Sequence, residues 1–378
     1  MFQIMNKSAI VIGAGIVGLA TARALAEKGF KVKVIERESF SMGASIRNFG
    51  MIWPIGQPEG VLLNRALRSR EIWMDMLSQA AVWHNPCGSI HVAYNDIEWN
   101  VLQELAVTFE NQGRSILLLS KEQVLQHYPA INAAHLKGGL FSSSELIINP
   151  LLSIASLPNL FKEKYQIEFL WGQAVNEISE NSVLVNSTKL FADQIFVCTG
   201  ADFAHLYPEI YKEQLITKCN LQMMRMISKS NQSINTSICG GLSLIHYKSF
   251  EVAPSIAELK KHYEQELPEY LQLGIHVMID QNNLNEFIIG DSHEYGNSFL
   301  PFNKVHINQL ILDYLKSFIN INDLELVETW QGIYPKMSNG ATELTLSPTD
   351  NVHIINGLGG AGMTLSFGLA EEYVNTIF

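Results

Sequence analysis

The sequence predicts a mixed α/β fold, because glycine-rich turns near both ends of the chain each separate an apolar run from a helical stretch. The first turn, at 13–18, follows the apolar run 9–12. The second, at 357–362, follows the mostly apolar predicted strand 352–355. A buried strand that enters a helix through a tight turn is typical of parallel α/β sheets.

The turn at 13–18 has the spacing of a dinucleotide-binding βαβ unit. Gly13 permits the tight turn, Gly15 lets a pyrophosphate approach the backbone, and Gly18 lets the helix lie close on the strand. Free N–H groups at the start of the helix bind phosphates. A second predicted strand, 31–35, ends at Glu36, whose carboxylate suits a ribose diol. The motif therefore predicts dinucleotide binding; a glycine-rich turn without a ligand is the alternative.

Length and charge narrow the classes of function. The chain has 378 residues, of which 47% are hydrophobic, and this predicts a sizeable core and two domains. Its formal net charge of −11 argues against a nucleic-acid partner. Arg225 is the only arginine after Arg114, so a cationic site in the second half would use Arg225, lysine or histidine.

The cysteines, Cys87, Cys198, Cys219 and Cys239, include no CxxC pair. They predict reduced thiols in a cytoplasmic protein rather than a metal knuckle or a redox pair. No signal peptide is expected before the first strand, and no run is apolar and long enough to predict a membrane span. We expect a monomer or a small homo-oligomer.

These features together resemble the D-amino acid oxidase, glycine oxidase and sarcosine oxidase family of FAD-dependent oxidoreductases, over essentially the whole chain. The resemblance implies FAD rather than NAD as cofactor. A long flavin cofactor must be held at both ends, which agrees with the second glycine turn. The phrases that carry the resemblance are Gly13 to Gly18 with Glu36-Arg37, Gly43-Ala44-Ser45, Val197-Cys198-Thr199-Gly200-Ala201 and Gly359-Gly360-Ala361-Gly362-Met363-Thr364.

The resemblance also implies which residues contact FAD, although burial alone explains Phe49 and Val175 nearly as well. Some relatives attach the flavin through a cysteine in the segment that matches 330–336. This chain has no cysteine there, so non-covalent FAD is predicted. The implied contacts are Gly13, Gly15, Ile16, Val17, Gly18, Glu36, Arg37, Ala44, Ser45, Arg47, Asn48, Phe49, Gly50, Val175, Thr199, Gly200, Gly359, Gly360, Gly362, Met363 and Thr364.

We expect a Rossmann-like FAD-binding domain built from separated segments, with an antiparallel β-rich substrate domain (the α+β lobe) inserted between them. The FAD-binding domain is predicted at 1–86, 146–217 and 327–378. The substrate domain is predicted at 87–145 and 218–326.

Several phrases are similar to a narrower subgroup associated with aminophosphonate breakdown. They are the segment 47–54, Leu221-Gln222-Met223, His246-Tyr247, the segment 290–295 and the segment 330–334. The resemblance implies oxidation of the C–N bond of a small aminophosphonate, a 2-aminoethylphosphonate derivative with or without an N-alkyl group, by hydride transfer to flavin N5. The imine then hydrolyses, and oxygen or another acceptor reoxidises the flavin.

The residues implied to act on the substrate are Arg47, His246, Tyr247, His293, Tyr334 and Lys336. A phosphonate needs several donors and positive charge. Arg47 could serve FAD or the substrate, and any single histidine could be purely structural. His276 is interpreted as a strand residue and left out. No metal-ligand spacing is visible, so no metal is predicted.

Three alternatives stay open. The first is a glycine, sarcosine or D-amino acid oxidase, since a carboxylate clamp resembles a phosphonate clamp in sequence. The second is a flavin-binding protein without amine oxidase activity, such as a tRNA-modifying partner. The third is an NAD-linked dehydrogenase.

Overall fold

The computed structural model describes residues 7–378. The strands are β1 (Ser8–Ile12), β2 (Lys31–Glu36), β3 (Met51–Ile52), β4 (His84–Asn85), β5 (Ser89–Ala93), β6 (Ile116–Ser120), β7 (Gly138–Ser142), β8 (Leu146–Ile148), β9 (Glu168–Trp171), β10 (Val175–Ser179), β11 (Ser182–Val185), β12 (Thr188–Phe191), β13 (Gln194–Val197), β14 (Ile216–Ser228), β15 (Ser237–Cys239), β16 (Met278–Gln281), β17 (Glu286–Gly290), β18 (Glu294–Gly296), β19 (Leu324–Met337), β20 (Leu344–Thr349) and β21 (Val352–Asn356). The helices are α1 (Ile16–Glu27), α2 (Val61–Gln79), α3 (Asp96–Asn111), α4 (Lys121–His127), α5 (Pro150–Tyr165), α6 (Pro208–Glu213), α7 (Ile256–Glu266), α8 (Pro268–Gln272), α9 (Val305–Phe318) and α10 (Gly362–Ile377).

A six-stranded sheet carries the first glycine turn. Its order is β20-β21-β13-β1-β2-β9; β20 runs antiparallel to β21, and the other neighbours are parallel. These strands come from segments far apart in the chain. The carboxyl ends of β1 and β21 therefore lie at one edge of the sheet, and each is followed by a glycine turn and a helix, α1 and α10.

Both faces of this sheet are buried, which explains the apolar runs in its strands. Ala9 and Val11 face a core shared with α1, α2, α5 and α10, whereas Ile10 and Ile12 face a core shared with the small sheet β10-β11-β12. The buried indole N–H of Trp73 in α2 donates to the Met363 carbonyl at 2.9 Å. This bond ties α2 to the start of α10.

A nine-stranded sheet forms the second layer, in the order β18-β14-β17-β16-β15-β5-β7-β6, with β19 also paired to β14. The core on one face includes residues of α3 and α7, and the core on the other includes residues of α4 and α9. The long antiparallel pair β14 and β19 runs from the outer edge of this sheet back to the second glycine turn, where Lys336 bridges to Leu358.

The mixed α/β fold class is confirmed, with a parallel sheet assembled from separated segments and a β-rich layer beside it. The helical stretches predicted after the two glycine turns match α1 and α10. The helix α9 was not predicted. The domain boundaries remain a prediction. Within residues 7–378, no helix combines the length and the apolar character needed to cross a bilayer.

Candidate active site

The first glycine turn leaves no room for side chains at two positions. A Cβ on Gly18 would lie 1.9 Å from the Gly13 carbonyl oxygen. Gly13 has φ +103°, and a Cβ there would lie 2.5 Å from the Cys198 carbonyl oxygen. Both contacts are with backbone, which cannot move aside as a flexible side chain can. The turn therefore brings β1, α1 and the end of β13 together only when these positions are glycine.

The N-terminus of α1 is open to a ligand. Gly15 precedes the helix without a side-chain cap, and the first turn has no acidic residue. The Ile16 N–H donates to the Ser45 hydroxyl at 2.9 Å, while the following N–H groups begin a helix whose dipole favours an anion. A Cβ on Gly15 would meet only the Ser45 oxygen, at 3.3 Å. This geometry fits a pyrophosphate.

Glu36 is held at the end of β2 by two backbone donors. The Ala14 N–H donates to its carboxylate at 2.8 Å and the Glu38 N–H at 3.1 Å. Arg37 next to it forms an ion pair with Asp202 at 2.6 Å. The Glu36 carboxylate is thus fixed beside the turn, where it can accept bonds from a ribose.

A cavity of about 750 Å³, here called the large cavity, runs past this turn. Its volume lies within the range of ligand sites. It brings together most of the residues predicted to contact FAD, namely Gly13, Gly15, Ile16, Val17, Glu36, Arg37, Ala44, Ser45, Arg47, Asn48, Val175, Thr199, Gly200, Gly359, Gly362 and Met363. The residues present therefore fit a dinucleotide cofactor.

The remaining residues predicted to contact FAD do not line the large cavity. Gly18 does not line the cavity, because it packs against Gly13. Gly50 has φ +86° and packs against the Ile148 carbonyl, where a Cβ would lie at 2.2 Å. Phe49, Gly360 and Thr364 line a second cavity. Val175 does line the large cavity, and its carbonyl oxygen is 2.8 Å from His205 Nε2.

The C-terminal glycine turn closes the large cavity. Gly359 has φ +61°, and a Cβ there would lie 3.5 Å from Lys336 Cγ. A Cβ on Gly360 would lie 3.5 Å from the Tyr334 hydroxyl. The helix α10 then starts at Gly362 without a side-chain cap. Its positive dipole end lies at the cavity, where it would stabilise negative charge.

The second cavity, here called the small cavity, has a volume of about 240 Å³. It adjoins the large cavity, because Asn48, Tyr334, Gly357, Leu358 and Gly359 line both. The predicted substrate residues that line it are His246, Tyr247, His293, Tyr334 and Lys336. Arg47 lines only the large cavity, which places it among the cofactor candidates.

Polar side chains are fixed on one wall of the small cavity. Lys336 Nζ donates to the Tyr295 hydroxyl at 3.0 Å and lies 5.0 Å from the centre of that ring. The Tyr247 hydroxyl lies 3.2 Å from Met278 Sδ. Burial raises the pKa of Tyr334 well above its usual value, so this phenol stays protonated.

Three imidazoles pack against one another beside these side chains, with the ring of His293 next to those of Tyr295 and Tyr334. The ring centres of His246 and His276 are 3.7 Å apart, and those of His276 and His293 are 5.2 Å apart. Burial lowers the pKa of His293 to about 4, and the pKa values of His246 and His276 lie well below the usual value for the same reason. Burial raises the pKa of the adjacent Asp291 well above its usual value.

Sequence reasoning missed His276, Asp291 and Lys248, all of which line the small cavity. His276 and Asp291 exchange backbone hydrogen bonds at 3.2 and 3.0 Å, so strand pairing brings them together. The pairing of two strands leaves no pattern in the local sequence, so the proximity of His276 and Asp291 could not be predicted. Arg225, one of the available cations, is instead paired with Glu286 at 3.3 Å and Glu328 at 3.0 Å and does not line the small cavity.

Curated relatives match over different extents. The chain is 31% identical over 140 residues to the tRNA 5-methylaminomethyl-2-thiouridine biosynthesis bifunctional protein MnmC of Pseudomonas entomophila (strain L48), which covers 36% of this chain. The match spans only about a fifth (20%) of that relative's length. The chain is 23% identical over 422 aligned positions to the mitochondrial L-2-hydroxyglutarate dehydrogenase of Arabidopsis thaliana, covering 97% of this chain and 82% of the relative.

Solved structures share the fold over almost the whole chain. Glycine oxidase from Geobacillus kaustophilus aligns with a TM-score of 0.79 at 17% identity, covering 98% of this chain and 93% of that one. L-Proline dehydrogenase from P. horikoshii aligns with a TM-score of 0.80 at 18% identity over the same shares. The model of the DAO family, described as FAD dependent oxidoreductase, matches residues 8–376. The chain therefore belongs to the DAO family of FAD-dependent oxidoreductases, and FAD is its cofactor.

Proposed function

We propose that this enzyme oxidises the C–N bond of a small amine that carries an anionic group, with an aminophosphonate such as a 2-aminoethylphosphonate derivative as the preferred substrate. The observation that carries the proposal is the small cavity. It adjoins the cofactor cavity through Tyr334 and Gly359, and it is lined by Lys336, tyrosines and histidines.

The size of the small cavity supports a small substrate. Its volume of about 240 Å³ lies below the range of drug-sized ligand sites. Trp53 and Phe49, both buried, supply apolar wall, and Met278 lies beside Tyr247. A short amine therefore fits, and its C–H bond can approach the large cavity along the shared wall.

Lys336 supports an anionic group on the substrate. Within residues 7–378 its ammonium contacts the neutral Tyr295 hydroxyl and forms no ion pair with a carboxylate. It is half-buried at the junction of the two cavities, so its charge is only partly screened. Lys248 adds a second ammonium to the wall, bonded to the Gly340 carbonyl at 2.6 Å. Two point charges suit a phosphonate, which has three acceptor oxygens.

Among the described residues, no arginine lines the small cavity, so its positive charge comes from lysine ammonium groups, which act as point charges. A phosphonate is favoured over a carboxylate because its greater negative charge and its third oxygen suit two separate ammonium groups. Arg47 lies in the large cavity and Arg225 is paired elsewhere. A glycine, sarcosine or D-amino acid oxidase is therefore the alternative, and its substrates belong in the same test.

Neutral imidazoles support oxidation of an amine, because the substrate must lose its ammonium proton first. His246 is exposed to the small cavity, and its pKa is lowered by burial within the surrounding protein and by His293 and Lys336 nearby. A neutral ring carries no imidazolium proton that could return to the amine. When bound, FAD supplies the acceptor for the electrons of the C–N oxidation.

A tRNA-linked reaction is a second candidate, favoured by the 31% identity to the MnmC protein. The formal net charge of −11 opposes it, because RNA binding rests on positive surface charge. Binding of tRNA at low salt by the holoenzyme would support this candidate.

The test is anaerobic reduction of the enzyme-bound flavin, followed by its visible absorption. The panel contains 2-aminoethylphosphonate, its N-methyl derivative, and β-alanine, which matches the first compound with a carboxylate. It also contains glycine, sarcosine and D-alanine. Bleaching by the phosphonates but not by β-alanine is expected. Bleaching by the carboxylates alone would move the enzyme to the amino acid oxidases, and no bleaching by any amine would overturn the proposal.

A further inference from the structure

We propose that His246, His276 and His293 form a binding site for one divalent transition-metal ion of the zinc class, with Asp291 as the supporting carboxylate. Each histidine offers one ring nitrogen, and these nitrogens all lie within 4.8 Å of one another. Neutral imidazole is a ligand that zinc, copper, iron and nickel prefer. The sequence predicts no metal, because these three positions have none of the usual ligand spacing.

The hydrogen bond of His293 is the one that metal-bound histidines usually make. Its Nδ1 lies 2.9 Å from the Gly274 carbonyl oxygen, which can only accept, so Nδ1 carries the proton. Nε2 therefore keeps its lone pair. A ligating histidine typically donates its other N–H to a backbone carbonyl in this way, which fixes the tautomer and the ring orientation.

His276 shows a second arrangement that metal sites use. Its Nε2 lies 3.2 Å from Asp291 Oδ1, whereas its Nδ1 is buried without a hydrogen-bond partner in the described part of the chain. In the described residues Asp291 Oδ1 is also buried without a hydrogen-bond partner, so the protein leaves both this oxygen and His276 Nδ1 unused. A carboxylate–histidine pair of this kind commonly supports a metal ion. An orphaned nitrogen on a side chain that is 4% exposed therefore calls for a partner.

His246 completes the set from another element. It follows the short helical turn Gly241–Ile245, and in the described residues neither of its ring nitrogens bonds to protein. A tetrahedral zinc ion about 2.0–2.1 Å from each ligand would bring the nitrogens to about 3.4 Å apart. In the structure these nitrogens lie within 4.8 Å of one another, so they must move closer together to bind the ion. His246 is the exposed member of the three, so its side chain is free to make that movement.

Three protein ligands leave a fourth position, as in catalytic rather than structural zinc sites. All three histidines and Asp291 line the small cavity, so this position is accessible from it. The anionic group of the substrate would bind there. That last consequence rests on the proposed function, whereas the metal site itself rests only on the geometry of the cluster.

The experiment measures metal on the purified holoenzyme after dialysis against a chelator. Zn²⁺ is returned by equilibrium dialysis and counted by mass spectrometry, and Co²⁺ is titrated while its d–d absorption is followed at wavelengths beyond the flavin bands. About one ion per chain and a tetrahedral Co²⁺ spectrum are expected. His276→Gln and His293→Gln should each abolish stoichiometric binding, while Asp291→Asn should weaken it by about 10- to 100-fold. The exposed His306→Gln is the matched control and should bind like the parent chain.

Flavin content and melting temperature are measured on every variant, so that unfolding is recognised. The Co²⁺ titration of the unaltered chain needs no variant and decides the question if the variants fail to fold. Absence of a d–d band and of retained Zn²⁺ would overturn the proposal. So would a stoichiometry that His276→Gln and His293→Gln leave unchanged in folded protein. Flavin bleaching by amines tests the proposed function independently, because it requires no metal count.

Discussion

The side-chain stem of Lys336 packs over Gly359, where a Cβ would lie 3.5 Å from Lys336 Cγ. The backbones of Lys336 and Leu358 also form an isolated antiparallel bridge. The last residues of β19 are thereby attached to the turn that opens α10. This contact places the side chain of Lys336, which lines the small cavity, next to Leu358 and Gly359, which line both cavities.

Replacing Gly18 by alanine should prevent FAD binding. The new Cβ would stand 1.9 Å from the Gly13 carbonyl oxygen, so the turn and the start of α1 must separate. We expect a destabilisation on the order of 2–4 kcal/mol and loss of the yellow colour. The ratio of flavin to protein absorbance measures the loss. Gly296→Ala is the matched control, because its Cβ would meet only ordinary contacts at 3.6 Å or more; equal flavin content in both variants would refute this role of Gly18.

Acid precipitation should release all of the flavin into the supernatant. The segment 330–336 has no cysteine, and the nearest thiol across the sheet is Cys219, which pairs in register with Tyr334. Burial raises the pKa of Cys219 to about 12, so it stays a thiol rather than a nucleophilic thiolate. Absorption of the supernatant at the flavin bands is the measurement, and colour that remains with the protein pellet would contradict a non-covalent cofactor.

Stability should fall in mild acid partly because of His353. This side chain is 4% exposed, its ring stacks on Phe196, and burial lowers its pKa from 6.5 to about 4. The unfolded chain binds this proton first, so the neutral form stabilises the fold above pH 6.5 and that contribution is lost as the pH falls toward 4. The loss amounts to roughly 3 kcal/mol.

His353→Gln should weaken the dependence of stability on pH between pH 6.5 and pH 4. Thermal unfolding of both chains between pH 7 and pH 4.5 is the measurement. The difference in melting temperature between them should shrink as the pH falls. A constant difference across this range would show that His353 does not titrate between the folded and unfolded states.

The cofactor half of the site could be predicted from sequence because its contacts are local. The turn, the helix start and the acid at Glu36 follow one another within a single βαβ unit, and each has a distinct steric or electrostatic requirement. Most residues predicted to contact FAD accordingly line the large cavity. Gly18 and Gly50 do not line it, since glycine is required there for packing against backbone.

The substrate half depends on contacts between distant segments. His246 follows a short helical turn, His276 precedes β16, and His293 lies between β17 and β18. Only the pairing of strands brings them together, and no spacing along the chain encodes it. Arg47 shows the reverse case: it is next to residues of the small cavity in sequence but lines the large one. The helix α9 did carry a signal, with buried Ile307, Ile311 and Leu315 at intervals of four residues.

The measurement that tests the central claim most directly is stopped-flow, anaerobic reduction of the flavin by 2-aminoethylphosphonate in Lys336→Met. Lys218→Met is the matched control, because Lys218 lines the large cavity and not the small one. We expect Lys336→Met to raise the substrate Kd by about 10- to 100-fold, as for loss of a charged hydrogen bond, and to change the limiting rate much less. Lys218→Met should leave the Kd within about twofold. An unchanged Kd in folded, flavin-bound Lys336→Met would contradict binding of the anionic group in the small cavity.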